Sequence, residues 1–210
     1  MRNDQLPLFE LPEFQTLKPL HPLERQNVST RLDLTDGLRI AAQDMINRIP
    51  DLQHIKLERV HFAVFFTRKA SRTLTYARCY PLSHEIKTKG RRSFKLSKVL
   101  TNSNLEARYL LAFAWERYWE MTPRDRLETL VHELYHIGPK FDGEARAFAT
   151  GGWHGQGRVW FDKIIHSLCE KYCPHGLEFK HDVLGLTLDP ELEVQFDKLR
   201  LPRWELTVNK

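Results

Sequence analysis

The chain has 210 residues, of which 41% are hydrophobic and 28% charged, the balance of a soluble globular protein with a core of ordinary size. No apolar run approaches membrane-spanning length, and Met1-Arg2-Asn3-Asp4 leads into no apolar signal segment, so neither a membrane partner nor a secretory leader is expected. Three cysteines, Cys79, Cys169 and Cys173, make no disulfide framework and suit a reducing cytoplasm, while the net charge of +5 is compatible with nucleic acid.

Residues 1–30 read as an extended N-terminal arm, punctuated by Pro7, Pro12, Pro19 and Pro22 and without periodicity. Within it, Gln5-Leu6-Pro7-Leu8-Phe9 resembles the Q-L-x-L-F peptide by which bacterial replication and repair proteins dock on the sliding clamp. Gln5, Leu6, Leu8 and Phe9 are the clamp-contacting candidates. The alternative is that Leu6, Leu8 and Phe9 pack on the chain's own domain.

A first helix is expected from a cap at Thr35 or Asp36 to Ile49, with Leu38, Ala41, Ala42, Met45 and Ile46 inward and Pro50 at its end. Alternation predicts a strand at 59–67 and a second at 73–80, joined by a hairpin turn at 68–72. Lys87, Lys89, Arg91, Arg92 and Lys95 surround Phe94, a pattern that could meet phosphates and stack a base, or form a solvated loop. The aromatic run 109–119 reads as a strand.

His132-Glu133-Leu134-Tyr135-His136 carries the clearest chemistry. Residues four apart on a helix lie one above the other, so two imidazoles can grip one metal ion. Glu133, beside the first ligand, can take a proton from activated water, the arrangement of zinc-dependent hydrolases. The flanks fit a helix: Thr122 as N-cap, Pro123 at the first position, Asp125 in the first turn, and Gly138-Pro139 past the end. Leu127, Leu130, Val131 and Leu134 form its apolar stripe.

A catalytic zinc takes three protein ligands and keeps one position open. Asp142, Glu144 and His154 are the downstream candidates. Asp142 stands where metzincins carry a third ligand, but Pro139 replaces their turn glycine and no methionine follows the motif, since the three are Met1, Met45 and Met121. Glu144 follows too closely for a separate helix. His154 opens a second long helix with a stripe of Trp160, Phe161, Ile164, Ile165, Leu168 and Tyr172. His154 is therefore taken as the third ligand, with Asp142 as its orienting partner or the alternative ligand. Cys169 and Cys173, four apart on this helix, are expected as buried thiols. Arg146 and Tyr135 are candidates for stabilising an oxyanion. Residues 179–210 form a C-terminal extension without a catalytic pattern, with a short helix expected from Asp189 to Leu199.

The run from His132 to Ile137, with Phe141-Asp142-Gly143, Arg146 and His154, resembles the putative phage metallopeptidases. These look related to SprT-like and Spartan-like proteases, whose third histidine lies in H-G-x-x-W or H-G-x-x-F. The matching segment here is His154-Gly155-Gln156-Gly157-Arg158-Val159-Trp160, with an insertion before the tryptophan. The resemblance covers about residues 35–172 and lacks the four-cysteine zinc ribbon of SprT-like proteins. It implies a zincin-like α+β domain over 31–178, with a small mixed or antiparallel sheet against the motif helix and a second long helix. The expected activity is hydrolysis of protein or peptide substrates by one catalytic Zn2+ held by His132, His136 and His154, with Glu133 as general base, possible substrates including DNA-associated proteins. The competing class is a non-catalytic, zinc-stabilised adaptor for DNA or a sliding clamp. A retained Glu133 speaks against it, because a purely structural site needs no base.

Overall fold

The computed structural model describes residues 31–67, 75–83, 87–89, 92–150, 152–187 and 193–207. In chain order the elements are β1 (Leu32–Asp33), α1 (Leu34–Arg48), β2 (Val60–Phe65), β3 (Ala77–Pro81), β4 (Lys87–Lys89), β5 (Arg92–Leu96), β6 (Tyr109–Ala114), α2 (Trp115–Tyr118), α3 (Pro123–Tyr135), α4 (Arg158–Tyr172), α5 (Asp182–Gly185), β7 (Val194–Gln195) and β8 (Trp204–Thr207). This is a mixed α+β architecture with three small sheets among the described residues. No helix among the described residues is long and apolar enough to cross a membrane.

The central sheet has the order β2-β6-β3. β6 lies in the middle and every one of its residues is buried, which explains its continuous apolar sequence Tyr-Leu-Leu-Ala-Phe-Ala. It pairs in parallel with β2 and antiparallel with β3. The expected β2–β3 hairpin is therefore corrected: β6, from later in the chain, takes the position between them. The expected strand 109–119 also stops early, because Trp115–Tyr118 turns into a short helix.

One face of the sheet carries the main core, built from the inward residues of α1, α3 and α4, including Leu38, Met45, Leu127, Leu130, Phe161 and Ile165. Each such side chain contributes about 1.5–3 kcal/mol on burial. The other face is covered by a smaller cluster of Ala63, Leu82, Ala107 and Leu110. α1 is capped by Asp33, two or three residues before the expected Thr35 or Asp36, because Asp33 accepts from the backbone N–H groups of both Thr35 and Asp36 at 3.0 Å.

The end of the chain returns to the domain. β7 pairs with β1, Lys198 bridges to Val64, and β8 extends the β4-β5 hairpin. Val194–Gln195 is thus a strand where a helix was expected: its backbone groups find partners on β1 instead of on a helical turn. Arg126, buried on α3, donates to the carbonyls of Leu184, Leu186 and Trp119, tying α5 to the motif helix. Cys169 and Cys173 are free and buried, as expected.

Candidate metal centre

α3 positions the first two histidines. The Thr122 hydroxyl accepts from the Asp125 N–H at 3.2 Å and Pro123 occupies the first turn, so the helix starts where the sequence says it should. Leu127, Leu130, Val131 and Leu134 are fully buried against the core. That anchoring fixes the rotation of α3 and turns His132 and His136 toward a cleft of about 470 Å³.

After α3 the chain doubles back in a tight loop. The Arg146 N–H donates to the His136 carbonyl at 2.8 Å, and the Gly138 N–H to the Glu144 carbonyl at 3.2 Å. The buried Tyr109 hydroxyl, on β6, donates to the Glu144 carbonyl at 2.8 Å and accepts from the Gly143 N–H at 3.1 Å. Asp142 is exposed in this loop and accepts from the Glu144 N–H at 3.1 Å. A turn at 152–157 then carries His154 back to α3, ahead of α4 and not within it. Gly155 makes that turn at φ +56°, where a Cβ would come within 2.5 Å of the Trp160 ring.

The ring centroids of His132, His136 and His154 form a near-equilateral triangle with sides of 4.9, 5.4 and 5.0 Å. Their nitrogen ligand atoms lie within 4.8 Å of one another. Phe161 touches all three rings, at 4.7, 4.8 and 5.0 Å, as an apolar floor that locks their orientations. Burial, with His154 and Arg158 adding to it against the pull of Asp162, holds the proton affinity of His132 down to about 4. Burial, with the other two histidines and Arg146 adding to it, takes His136 to about 3. Both are neutral near pH 7, with lone pairs available to a metal. The Asp162 carboxylate lies 3.4 Å from His132 Nδ1, leaving Nε2 for an ion. A triangle of imidazoles open to a cleft on its fourth side fits a metal ion with one exchangeable position.

Glu133 is 6% exposed and lines the same cleft. Burial pushes its carboxyl up to about 8, against hydrogen bonding from the Cys79 backbone and the charge of Arg78. Cys79 belongs to β3, the edge strand. The Ala114 N–H donates to the Tyr76 carbonyl and the Leu82 N–H to the Arg108 carbonyl, so in this register residues 76, 78, 80 and 82 bond inward. Residues 77, 79 and 81 present their backbone to the outer edge of β3, on which no other strand pairs among the described residues. Thr75 to Cys79 form one wall, Arg158, Asp162 and Ile165 the other, and α3 the floor.

The remaining candidates are elsewhere. Arg146 stacks on Tyr135 at 4.0 Å and donates to the carbonyls of Tyr135 and Asp51, and neither residue lines the cleft. Gln5, Leu6, Leu8, Phe9 and Arg91 lie outside the described residues. Lys87 and Lys89 fall on β4, Arg92 and Lys95 on β5, so the described part of the basic segment lies on two paired strands. Asp162, Phe161 and the Cys79 backbone were missed by sequence reasoning. The signal for Asp162 was a charge pattern: Arg124, Glu128 and His132 on α3 match Glu170, His166 and Asp162 on α4, each four apart.

No curated protein and no solved structure matches the chain. A family model described as "Putative phage metallopeptidase" matches residues 35–162, which span the central sheet, α3, the His154 turn and Asp162. The chain belongs to the putative phage metallopeptidase family.

Proposed function

We propose that the chain is a zinc-dependent peptidase of zincin-like fold, with His132, His136 and His154 as ligands and Glu133 as general base. One observation carries the reading: three histidine rings converge on one point of a cleft that Glu133 also lines. A zinc ion at that point supplies Lewis acidity, which acidifies water and polarises a scissile carbonyl. Asp162 orients His132 through Nδ1, and Phe161 keeps bulk water from beneath the rings. The charge of a zinc ion beside it would bring the Glu133 carboxyl down from about 8, and the carboxylate would then take the proton of the attacking water and return it to the leaving amine. An extended peptide pairs with the outer edge of β3 at residue 77, whose backbone faces away from β6, next to the Cys79 backbone that bonds Glu133. Pro81 has no N–H and ends that pairing. A purely structural zinc site closes with four ligands and needs no carboxylate beside it, which weighs against the adaptor reading.

Glu133→Gln should keep stoichiometric zinc while hydrolysis of a peptide library falls by about 10²- to 10⁴-fold. Wild-type cleavage by this variant, or purified protein that holds no zinc, overturns the assignment.

A further inference from the structure

The turn that brings His154 to the metal centre also carries an indole for which the centre has no use. Trp153, the residue before that histidine, is 47% exposed and lines the same cleft as Glu133. Its ring meets the His136 ring edge-on at 5.7 Å. Two neighbouring aromatics turn inward instead: Phe148 and Trp160 meet edge to face at 5.5 Å and pack against the main core. Trp153 belongs to neither apolar cluster. Of the large apolar side chains exposed among the described residues, it is the one that lines the cleft.

The cleft differs along its length. Its floor follows one face of α3, whose lining residues recur every three or four positions from Asp125 to His136. Toward the start of the helix that face carries Asp125 and Glu128. Toward its end it carries His136, with the indole beside it. An indole left half in water offers a broad apolar surface, which another ring or a large aliphatic chain covers best.

We propose that Trp153 forms a specificity subsite for an aromatic or large aliphatic side chain of the substrate peptide. This subsite rests on the peptidase reading, which by itself names no substrate side chain. An extended chain advances about 3.3 Å per residue, so a ring 5.7 Å from that of His136 meets a side chain within about two residues of the scissile carbonyl. Cations also lie well on indoles, but a divalent ion held by the neighbouring histidines repels a second positive charge there. A small side chain leaves most of the indole in water. Neutral, bulky apolar groups remain as the occupants.

The first test is cleavage of a mixed peptide library by the wild-type protein, with the cuts mapped by mass spectrometry. Phenylalanine, tyrosine, leucine or methionine should be preferred over alanine by about 10-fold in kcat/KM at one fixed position within two residues of the cut. Trp153→Ala should reduce that ratio to about 2 or less while the protein keeps one zinc per chain, and Trp153→Phe should restore part of it. The second test measures binding without turnover. Two fluorescein-labelled nonapeptides of glycine and serine, one with a central phenylalanine and one with a central alanine, are titrated with zinc-loaded Glu133→Gln. The phenylalanine peptide should bind about 5-fold more tightly or better, and the difference should vanish when Trp153→Ala is added. Cleavage without a preference that depends on Trp153 overturns the subsite and leaves the peptidase standing. Selective binding of the phenylalanine peptide through Trp153, with no cleavage by the wild type, does the reverse. A preference for a charged side chain at that position overturns the subsite. So does loss of zinc in Trp153→Ala, which would make the indole a support for His136.

Discussion

His132, His136 and His154 bring their ligand atoms within 4.8 Å of one another, and so do Glu128, one turn back along α3, and His166 and Glu170 of α4. The two clusters differ in what surrounds them. In the first, burial keeps His132 and His136 neutral, Phe161 floors the rings, and the Asp162 carboxylate lies 3.4 Å from His132 Nδ1. In the second, a cation is already built in. Arg124 donates to Glu128 at 3.2 Å and to Glu170 at 2.8 Å, and its third nitrogen reaches the Cys173 carbonyl at 2.7 Å. His166 and Glu170 are also exposed, so an ion there would compete with water and with Arg124 together. Proximity of ligand atoms is thus shared by both clusters. Neutral, desolvated donors without a resident guanidinium distinguish one of them.

The sharpest break between the clusters is in metal content. His154→Ala should abolish stoichiometric zinc binding, whereas His166→Ala should leave one zinc per chain, as measured by elemental analysis after dialysis. Asp142→Asn should also retain its zinc, because its carboxylate caps the Glu144 N–H. Loss of zinc in Asp142→Asn with retention in His154→Ala would exchange their roles.

A smaller effect is expected at Asp162, which touches the site through His132 alone. Asp162→Asn should weaken zinc affinity by about 10- to 100-fold in chelator competition while leaving the stoichiometry at one. Unchanged affinity would mean that Phe161 and the backbone orient His132 without help.

Arg124→Gln removes the resident cation and brings the second cluster closer to the first. In excess zinc the ratio should then rise from one toward two, with a weak second phase in calorimetry that Glu170→Gln abolishes. A ratio that stays at one would show that exposure, and not Arg124, keeps this cluster free of metal.

The smallest effect concerns another histidine–carboxylate pair, between α1 and the residue that precedes α5. Asp44 lies 3.0 Å from His181 and 2.8 Å from Arg48. Burial opposes ionisation of Asp44, but the hydrogen bonds from His181 and Arg48 together outweigh it and hold its carboxyl below the ordinary 3.8. A depressed folded value stabilises the protein above the unfolded value, and that stability is lost as pH falls through the folded one. Asp44→Asn should cost about 0.5–1 kcal/mol near neutrality, and its melting curve should converge on the wild type's in acid below 3.8. A constant gap at all pH values would assign the effect to packing instead of charge.

Local chemistry was legible wherever it repeats along one element. The N-cap of α3, its apolar stripe and the four-residue spacing of His132 and His136 all follow from helical geometry. The choice of His154 over Asp142 followed from ruling out a metzincin turn at Pro139. Pairings between distant segments were not legible. Strand alternation at 59–67 and 73–80 suggested a hairpin, yet alternation says which face of a strand is buried and nothing about which strand lies beside it. The β2-β6-β3 order depends on the fully buried β6 outcompeting β3 for the place beside β2.

By itself, then, the sequence determined the motif helix, two of the three histidines that face one cleft, and the carboxylate between them, because i to i+4 geometry needs no other part of the chain. Only the tertiary structure decided the rest of the centre. The loop pinned by Tyr109 and the turn permitted by Gly155 bring His154 across 18 residues of chain, and packing of α4 on α3 aligns Asp162 with His132. The same holds for the outer edge of β3 beside Glu133 and for β8 beside the basic hairpin. Each of these depends on contacts between segments far apart in sequence, whose formation rests on the total burial of the core and on no local preference of the residues involved.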